Sequence, residues 1–164
     1  MSNAIIQTVD LHKQFQDTPV LTGLDLQINA GQVVGLLGTN GSGKTTLIKC
    51  LLGLIRATSG MSSVFGQNSW DLDASAKSRL GYVSQDCVLL PWMTVKALTE
   101  YTGAFYARWD QKYVNTLLKE WKLNETQRVG ALSTGQRQKL SVILALGHHP
   151  ELLILDEPVA SLDP

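Results

Sequence analysis

An apolar run that leads into a glycine-rich loop and then into a helical pattern constrains the fold more than any other feature of this sequence. Residues 33–37 read VVGLL, which predicts a strand buried on both faces of a parallel sheet. Residues 38–45 read GTNGSGKT and match the pattern G-x-x-x-x-G-K-[ST] in full. Helical spacing resumes over residues 44–54. Strand, loop and helix in this order predict an α/β fold that binds phosphate.

The residue types in this loop fit the chemistry of a nucleoside triphosphate. Gly38, Gly41 and Gly43 let the backbone curl without Cβ clashes, so that consecutive N–H groups point at phosphate oxygens. Lys44 can reach the β- and γ-phosphates, and the hydroxyl of Thr45 can bind Mg²⁺. Small-molecule kinases and GTPases also use the motif, and a glycine-rich turn beside a surface lysine is the structural alternative. Alone, the loop therefore predicts only a phosphate ligand.

A second apolar run ends in two carboxylates. Residues 152–155 read LLIL and are followed by Asp156 and Glu157. In a doubly wound sheet, the carboxyl end of such a strand lies where ligands bind. Asp156 can hold Mg²⁺ directly or through water, and Glu157 can act as a general base toward an attacking water. The alternative is an ordinary strand end followed by solvated acids.

The segment LSTGQ, residues 132–136, opens a predicted helix that runs to residue 147. Ser133 and Gly135 form an anion-binding helix terminus, because N-cap and first-turn groups favour negative charge. Such a terminus is redundant in a chain that already has a phosphate loop, so we expect Ser133 to face the nucleotide of another subunit. A simple serine N-cap is the alternative.

The remaining pattern completes the predicted fold class, which is α/β. Alternating apolar residues over 4–28 predict antiparallel strands, and residues 91–123 are helical, with Asp110 as a predicted cap. We expect one domain, with an α/β core over residues 1–87 and 133–164. Its core holds a parallel sheet, an antiparallel β subdomain lies at the N-terminal side, and an inserted helical subdomain covers about 88–132.

Composition narrows the class of protein. Fourteen basic residues balance fourteen acidic ones, and nucleic-acid binders normally carry a basic surplus, so no nucleic-acid partner is expected. No apolar run approaches the roughly 18–20 residues that cross a bilayer, and residues 1–10 have no secretory pattern. Cys50 is expected to be a small buried hydrophobe, and it has no metal-like or CxxC spacing to Cys87. A cytoplasmic location is expected.

In combination, these motifs resemble the ATP-binding cassette (ABC) family over nearly the whole chain. The Walker A motif corresponds to residues 38–45, the LSGGQ signature to 132–136 with a threonine in its third place, and the Walker B strand to 152–156. Gln85 matches the Q-loop glutamine. Phe15 stands where the family places a ring that stacks on adenine, with a core or surface phenylalanine as the alternative.

The resemblance implies ATP and Mg²⁺ as cofactors. Nucleotide is expected to bind Phe15, Gly38, Asn40, Gly41, Ser42, Gly43, Lys44, Thr45, Thr46, Ser133, Gly135, Gln136 and Asp163. Mg²⁺ is expected at Thr45, Gln85 and Asp156. Catalysis is expected to depend on Glu157, Gln85 and Lys44.

The resemblance also implies partners. Two ATP-binding subunits, identical or different, are expected to form a head-to-tail dimer that holds two ATP molecules between the phosphate loop of one subunit and Ser133 of the other. Closure and hydrolysis are expected to drive transmembrane permease subunits, with the chain lying peripherally on the inner face of the cell membrane. Residues 161–163, SLD, resemble the D-loop.

One family element has no counterpart in these residues. Complete cassettes continue to a strand that ends in a switch histidine, and the sequence stops at Pro164. His148 and His149 precede the Walker B strand and are expected to cover the last carbonyls of their helix. We therefore expect the chain to bind nucleotide better than it hydrolyses it.

Residues 88–93, VLLPWM, are apolar and aromatic and predict a docking surface for the membrane subunits, centred on Trp92. Core packing between helices and sheet is the alternative. Residues 106–110 resemble cassettes of bacterial exporters. A soluble ABC-type ATPase that acts on ribosomes or DNA is the alternative function, and a P-loop kinase of small metabolites is a more distant one.

Overall fold

The computed structural model describes residues 4–86 and 88–157 of the 164-residue chain. The described residues form six strands and five α-helices, together with short 3₁₀ turns. By its contacts the chain divides into two units, Met1–Lys77 and Ser78–Pro164.

The alternating pattern at the start of the sequence is confirmed as an antiparallel sheet. Strands β1 (Ala4–Phe15) and β2 (Thr18–Asn29) pair along their length. Strands β3 (Ser59–Val64) and β4 (Gln67–Asn68) extend the sheet in the order β2-β1-β3-β4. A single helical turn, α2 (Ala74–Lys77), follows.

Register shifts explain why β1 buries both even-numbered and odd-numbered residues. Ile6, Thr8 and Leu11 are all buried, although strict alternation would place Leu11 on the other face. The pairing with β2 shifts between Thr8 and Leu11, and a bulge of this kind moves later side chains to the opposite face. The hydroxyl of Thr8 donates to the carbonyl of Leu24 at 2.8 Å, which satisfies the buried polar atom.

The helix predicted after the phosphate loop is confirmed, with an earlier end. Helix α1 (Lys44–Leu51) stops three residues before the predicted boundary. Gly53 has φ +66, and a Cβ there would lie 2.1 Å from the carbonyl oxygen of Ser69, so the chain turns away at a position that requires glycine. Cys50 is buried as predicted, and burial raises the pKa of its thiol.

The strand predicted over residues 33–37 is wrong, because this segment has no regular structure. Val33 and Leu37 are almost fully solvent-exposed, with relative accessibilities of 103% and 94%. A strand requires a neighbour for its N–H and C=O groups. None of the strands formed by residues 4–86 and 88–157 pairs with the segment. An apolar run indicates a preference for burial, but it does not show that another strand is available to pair with it.

A parallel strand pair lies in the second unit. Strands β5 (Leu80–Val83) and β6 (Leu152–Leu155) are in register from Leu80 opposite Leu152 to Val83 opposite Leu155. The strand over residues 152–155 was predicted from its apolar run. The pairing brings together the carboxyl ends of two segments that are far apart in sequence.

The core of the second unit lies among helices α3 (Val95–Gly103), α4 (Gln111–Glu120) and α5 (Thr134–Leu146). Its buried residues are Val95, Leu98, Val114, Leu117, Leu118, Leu123, Val129, Leu132, Leu140, Ile143 and Leu144. The predicted Asp110 cap is confirmed, since its carboxylate accepts the N–H of Tyr113 at 2.8 Å. The assignment of about residues 88–132 to a separate subdomain stays a prediction.

Leu140→Ala is expected to lower the free energy of unfolding by about 2–5 kcal/mol, because Leu140 is fully buried and truncation leaves a cavity. Urea denaturation followed by circular dichroism measures the change. Leu155→Ala is the matched control, since that leucine is over a third exposed and should cost clearly less. Equal losses for the two variants would contradict the location of the core.

Candidate functional site

The loop of residues 38–45 connects the irregular segment to α1. The N–H of Ser42 donates to the carbonyl of Thr39 at 3.2 Å, which closes a turn within the loop. Gly43, with φ +92, precedes the first residue of α1. The positive end of the helix dipole therefore lies at the loop, as an anion site requires.

Two glycines at the ends of this loop lie close to other atoms. A Cβ on Gly38 would lie 2.6 Å from the hydroxyl oxygen of Ser42. A Cβ on Gly43 would lie 3.1 Å from the carbonyl oxygen of Val20, at a φ that L side chains rarely adopt. Glycine is therefore required at Gly43, and the residue types of the loop fit a nucleoside triphosphate in their chemistry.

The ammonium of Lys44 is held at the loop. Its Nζ donates to the carbonyl oxygens of Gly38 and Thr39, both at 3.0 Å. These bonds span the glycine-rich turn and place a positive charge next to the N-terminus of α1. Two electrostatic features that favour an anion thus coincide.

The second group of predicted residues meets at the carboxyl ends of β5 and β6. The N–H of Asp156 donates to the carbonyl of Val83 at 2.9 Å, which continues the parallel pairing beyond β6. Asp156 is only 2% exposed. The side-chain amide of Gln85 donates to Oε2 of Glu157 at 3.0 Å, although the two residues are 72 positions apart. Gln85, Asp156 and Glu157 are therefore brought together.

The backbone at Glu157 is held in an uncommon conformation. Glu157 has φ +51, which is sparsely populated for residues other than glycine. The side-chain amide of Gln138, on α5, donates to the Glu157 carbonyl at 3.3 Å. Gln138 is buried and was not singled out from sequence. Ser141 follows Gln138 by three residues, and Ala145 follows Ser141 by four. This helical spacing is the sequence signal that could have placed Gln138 on the inward face of α5.

The local field at this edge is negative. Burial raises the pKa of the Tyr82 hydroxyl, and the charges of Asp156 and Asp86 raise it further. Carboxylate oxygens are the donors that Mg²⁺ prefers, so the chemistry of this cluster fits the predicted metal.

Helix α5 begins as the signature segment predicted. Ser133 is the N-cap, with its hydroxyl oxygen accepting the N–H of Gln136 at 3.2 Å. The Ser133 N–H in turn donates to Oε1 of Gln136 at 2.9 Å, which completes a capping box. Gln136 thus stabilises the N-terminus of α5 through both bonds of the capping box. Its predicted contact with nucleotide stays a prediction.

The predicted adenine-stacking residue lies at the end of β1. Phe15 is about half exposed, and Nζ of Lys13 lies 4.8 Å from the centre of its ring. The exposed ring can stack on a base, and its role stays a prediction. Asp163 and the rest of the D-loop segment lie outside the described residues.

The expectation for the two histidines is wrong. Nε2 of His148 bonds to the carbonyl of Leu80, on β5, at 2.9 Å. Nε2 of His149 bonds to a carboxylate oxygen of Asp110, on the segment before α4, at 3.1 Å. Both side chains therefore hold neighbouring elements instead of the last carbonyls of α5. Helical periodicity cannot reveal these partners, because they are 68 and 39 residues away.

Comparison with known proteins finds relatives that match this chain over nearly its whole length. A sequence profile described as "ABC transporter" matches residues 21–160. The bacitracin transport ATP-binding protein of Bacillus licheniformis is 35% identical over 164 residues, a match that covers 99% of this chain and 54% of that protein. The chain spans about half the length of the first curated relatives it matches.

Solved structures show the same architecture. The ATP-binding subunit of an ABC transporter superposes with a TM-score of 0.88 at 27% identity, over 98% of this chain and 69% of that one. A dimeric bacterial ABC transporter cassette gives a TM-score of 0.84 at 25% identity, over 96% and 76% of the two chains. The predicted α/β class with a P-loop NTPase core is confirmed. Within the described part of the chain, no helix is long and apolar enough to cross a membrane.

The stability of the protein is expected to fall as the pH drops below the ordinary histidine pKa of 6.5. Burial lowers the pKa of His148, so the unfolded chain binds a proton there before the folded chain does. Protonation therefore favours unfolding, and the contribution is fully present above pH 6.5. Thermal melts between about pH 5 and 8 should show this slope, and His148→Gln should reduce it. An unchanged slope in the variant would contradict the assignment.

Proposed function

The chain belongs to the ABC transporter family, and from this premise we propose that it is the ATP-binding and ATP-hydrolysing motor of a membrane transporter. The hydrogen bond between Gln85 and Glu157, beside the buried carboxylate of Asp156, is the observation that carries the proposal. This bond joins the Q-loop glutamine to the carboxylate that follows the Walker B strand, at the carboxyl ends of β5 and β6. In this proposal, the loop of residues 38–45 in the same chain binds the phosphates of the nucleotide.

The loop residues bind and orient the nucleotide in this proposal. Main-chain N–H groups from Gly38 to Thr45 face the phosphates, and Lys44 contributes its positive charge. Thr45, Asp156 and Gln85 are the residues that would hold Mg²⁺, which supplies charge neutralisation on the phosphate oxygens when bound.

Glu157 is the proposed general base. The amide of Gln85 donates to one carboxylate oxygen, Oε2, which restrains the orientation of the group that would accept the proton of an attacking water. Gln138 holds the main chain of Glu157 from α5. A change in the position of α5 would therefore change the position of the base.

The helix terminus at Ser133 supports a dimer. Its capping box presents an ordered N-terminus of a 13-residue helix, which suits the γ-phosphate of a nucleotide bound by a second ATP-binding subunit. Because the phosphate would bridge two subunits, ATP would favour closure and ADP would not. Hydrolysis would then reopen the pair.

The proposed partners are transmembrane permease subunits at the cytoplasmic face of the cell membrane. Some side chains of residues 88–93 pack against the core, and others are exposed to solvent. Leu89, Leu90 and Met93 pack against the helical core, which fits the core-packing alternative. Val88 and Trp92 are 88% and 66% exposed and form the part that suits docking. Export is the proposed direction, on the resemblance of residues 106–110 to exporter cassettes.

Mg-ATP is expected to raise the melting temperature of the chain, and Lys44→Ala is expected to abolish the rise. Ligand at about 100 times its dissociation constant stabilises the folded state by about 2.7 kcal/mol. Differential scanning fluorimetry with Mg-ATP and Mg-ADP measures the effect. Lys49→Ala is the matched control, because it removes a lysine from the last turn of α1 and leaves the loop intact. Stabilisation that survives in Lys44→Ala would refute the assigned nucleotide site.

Trp92→Ala is expected to weaken assembly with the permease subunits while nucleotide binding persists. The indole is largely exposed, so its removal takes away contact area without opening the core. Co-purification of the tagged chain with its membrane subunits measures assembly, and Trp70→Ala, at another exposed tryptophan, is the control. Lost nucleotide binding with intact assembly would argue against docking at this residue.

A further inference from the structure

The exposed ring of Phe15, in the first unit, carries a cation on one of its faces. Phe15 is the last residue of β1 and is paired with Thr18, the first residue of β2. Its ring is about half exposed, and Nζ of Lys13 lies over it, 4.8 Å from the ring centre. The negative face of an aromatic ring attracts a cation at this distance. Lys13 therefore covers one face, and a flat ligand can stack only on the other.

The ammonium of Lys13 is itself held in place. Nζ donates to the carbonyl oxygen of Arg56 at 2.9 Å, although the two residues are 43 positions apart. The segment that carries this carbonyl is tied to β1 by two further bonds. The N–H of Thr58 donates to the carbonyl of His12 at 2.9 Å, and the hydroxyl oxygen of Thr58 accepts the N–H of Gln14 at 3.0 Å. The anchor for Lys13 thus belongs to the main chain of the first unit.

This arrangement restricts the motion of an exposed ring before any ligand arrives. A side chain that is free to change rotamer loses conformational entropy when a ligand immobilises it, and this loss weakens binding. The contact with Lys13 restrains the Phe15 ring in the unliganded chain, so less entropy remains to be lost. The ammonium can therefore strengthen binding of a flat ligand without touching it.

Two other roles of Lys13 would give different binding behaviour. If the ammonium attracted the phosphates directly, its loss would weaken every phosphate ligand, with or without a base. If Lys13 only joined β1 to the segment after α1, its loss would lower the stability of the fold and leave the preference among ligands unchanged. A role that acts through the Phe15 ring affects only ligands that carry a base.

We propose that Lys13 is a positioning residue for the base of the nucleotide, because it holds the Phe15 ring in the orientation on which the base stacks. The inference rests on the proposed function, which supplies the nucleotide, and on the stacking predicted for Phe15. Lys13 raises the affinity for a nucleoside triphosphate and has no effect on the affinity for the phosphate chain alone. It takes no part in hydrolysis.

The test compares Mg-ATP with Mg-tripolyphosphate, which has the phosphate chain and no base. Isothermal titration calorimetry of the purified chain gives both dissociation constants. Lys13→Gln removes the charge and keeps an N–H donor on the side chain. We expect it to weaken ATP binding about 3- to 5-fold, the factor that one exposed cation–ring contact supplies, and to leave tripolyphosphate binding unchanged. Lys13→Arg keeps a cation and a donor for the Arg56 carbonyl, so it should bind ATP as the unaltered chain does.

Lys49→Gln is the matched control, because it removes the charge of an exposed lysine from the last turn of α1. It should leave both affinities unchanged. In a chain that carries Phe15→Ala, Lys13→Gln should have no further effect on ATP binding, because the ring through which Lys13 acts is gone.

Four results would each overturn the proposal. They are equal weakening of ATP and tripolyphosphate by Lys13→Gln, unchanged binding of ATP, an effect of Lys13→Gln that persists in Phe15→Ala, and a loss of ATP affinity that Lys13→Arg shares.

A measurement on the unaltered chain keeps the test valid if Lys13→Gln does not fold. Nuclear Overhauser effects between the ε-methylene protons of Lys13 and the ring protons of Phe15 are expected without ligand, and they should persist when Mg-ATP is added. New effects should then join the Phe15 ring to the C2 or C8 proton of adenine. Loss of the contact between Lys13 and the ring on addition of Mg-ATP would overturn the proposal. Failure of the proposed function would instead appear as no binding of either ligand, or as binding that survives Lys44→Ala.

Discussion

The pairing of β5 with β6 is the constraint on which the second unit depends. It aligns Val83 with Leu155 and lets the Asp156 N–H donate to the Val83 carbonyl. The chain then turns at Glu157 through a left-handed conformation, and the side chain of Gln85 meets the Glu157 carboxylate at 3.0 Å. A slip of one residue would place these groups on opposite faces, because side chains alternate along a strand. The proposed catalytic pair is therefore a product of strand register.

Helix α5 connects two proposed functions of this unit. Its first turn, capped by Ser133, is the proposed contact to the nucleotide of a second subunit. Gln138, one turn later, holds the main chain of Glu157. A rigid helix transmits a displacement along its length. Contact with nucleotide and the position of the proposed base can thus be coupled through one element without a separate relay.

Local sequence signals were sufficient wherever the structure is decided by neighbours along the chain. The phosphate loop, the caps at Asp110 and Ser133, and helix α1 follow from nearby residues and were predicted. The partners of His148, the burial of Gln138 and the solvent exposure of residues 33–37 were missed or predicted wrongly. Each of these depends on groups that are distant in sequence, for which a single sequence carries no direct signal.

The sequence by itself determined the family and the α/β class, and it predicts the phosphate-binding residues, because the loop chemistry requires particular residue types at fixed spacing. Only the tertiary structure decided that Gln85 meets Glu157, that His148 bonds to the Leu80 carbonyl, and that Val33 and Leu37 are left exposed. Burial of an apolar side chain stabilises the folded chain whichever apolar groups surround it. A hydrogen bond, in contrast, needs a defined partner at a defined distance. Composition and spacing encode the first property, and the second exists only once the chain is folded.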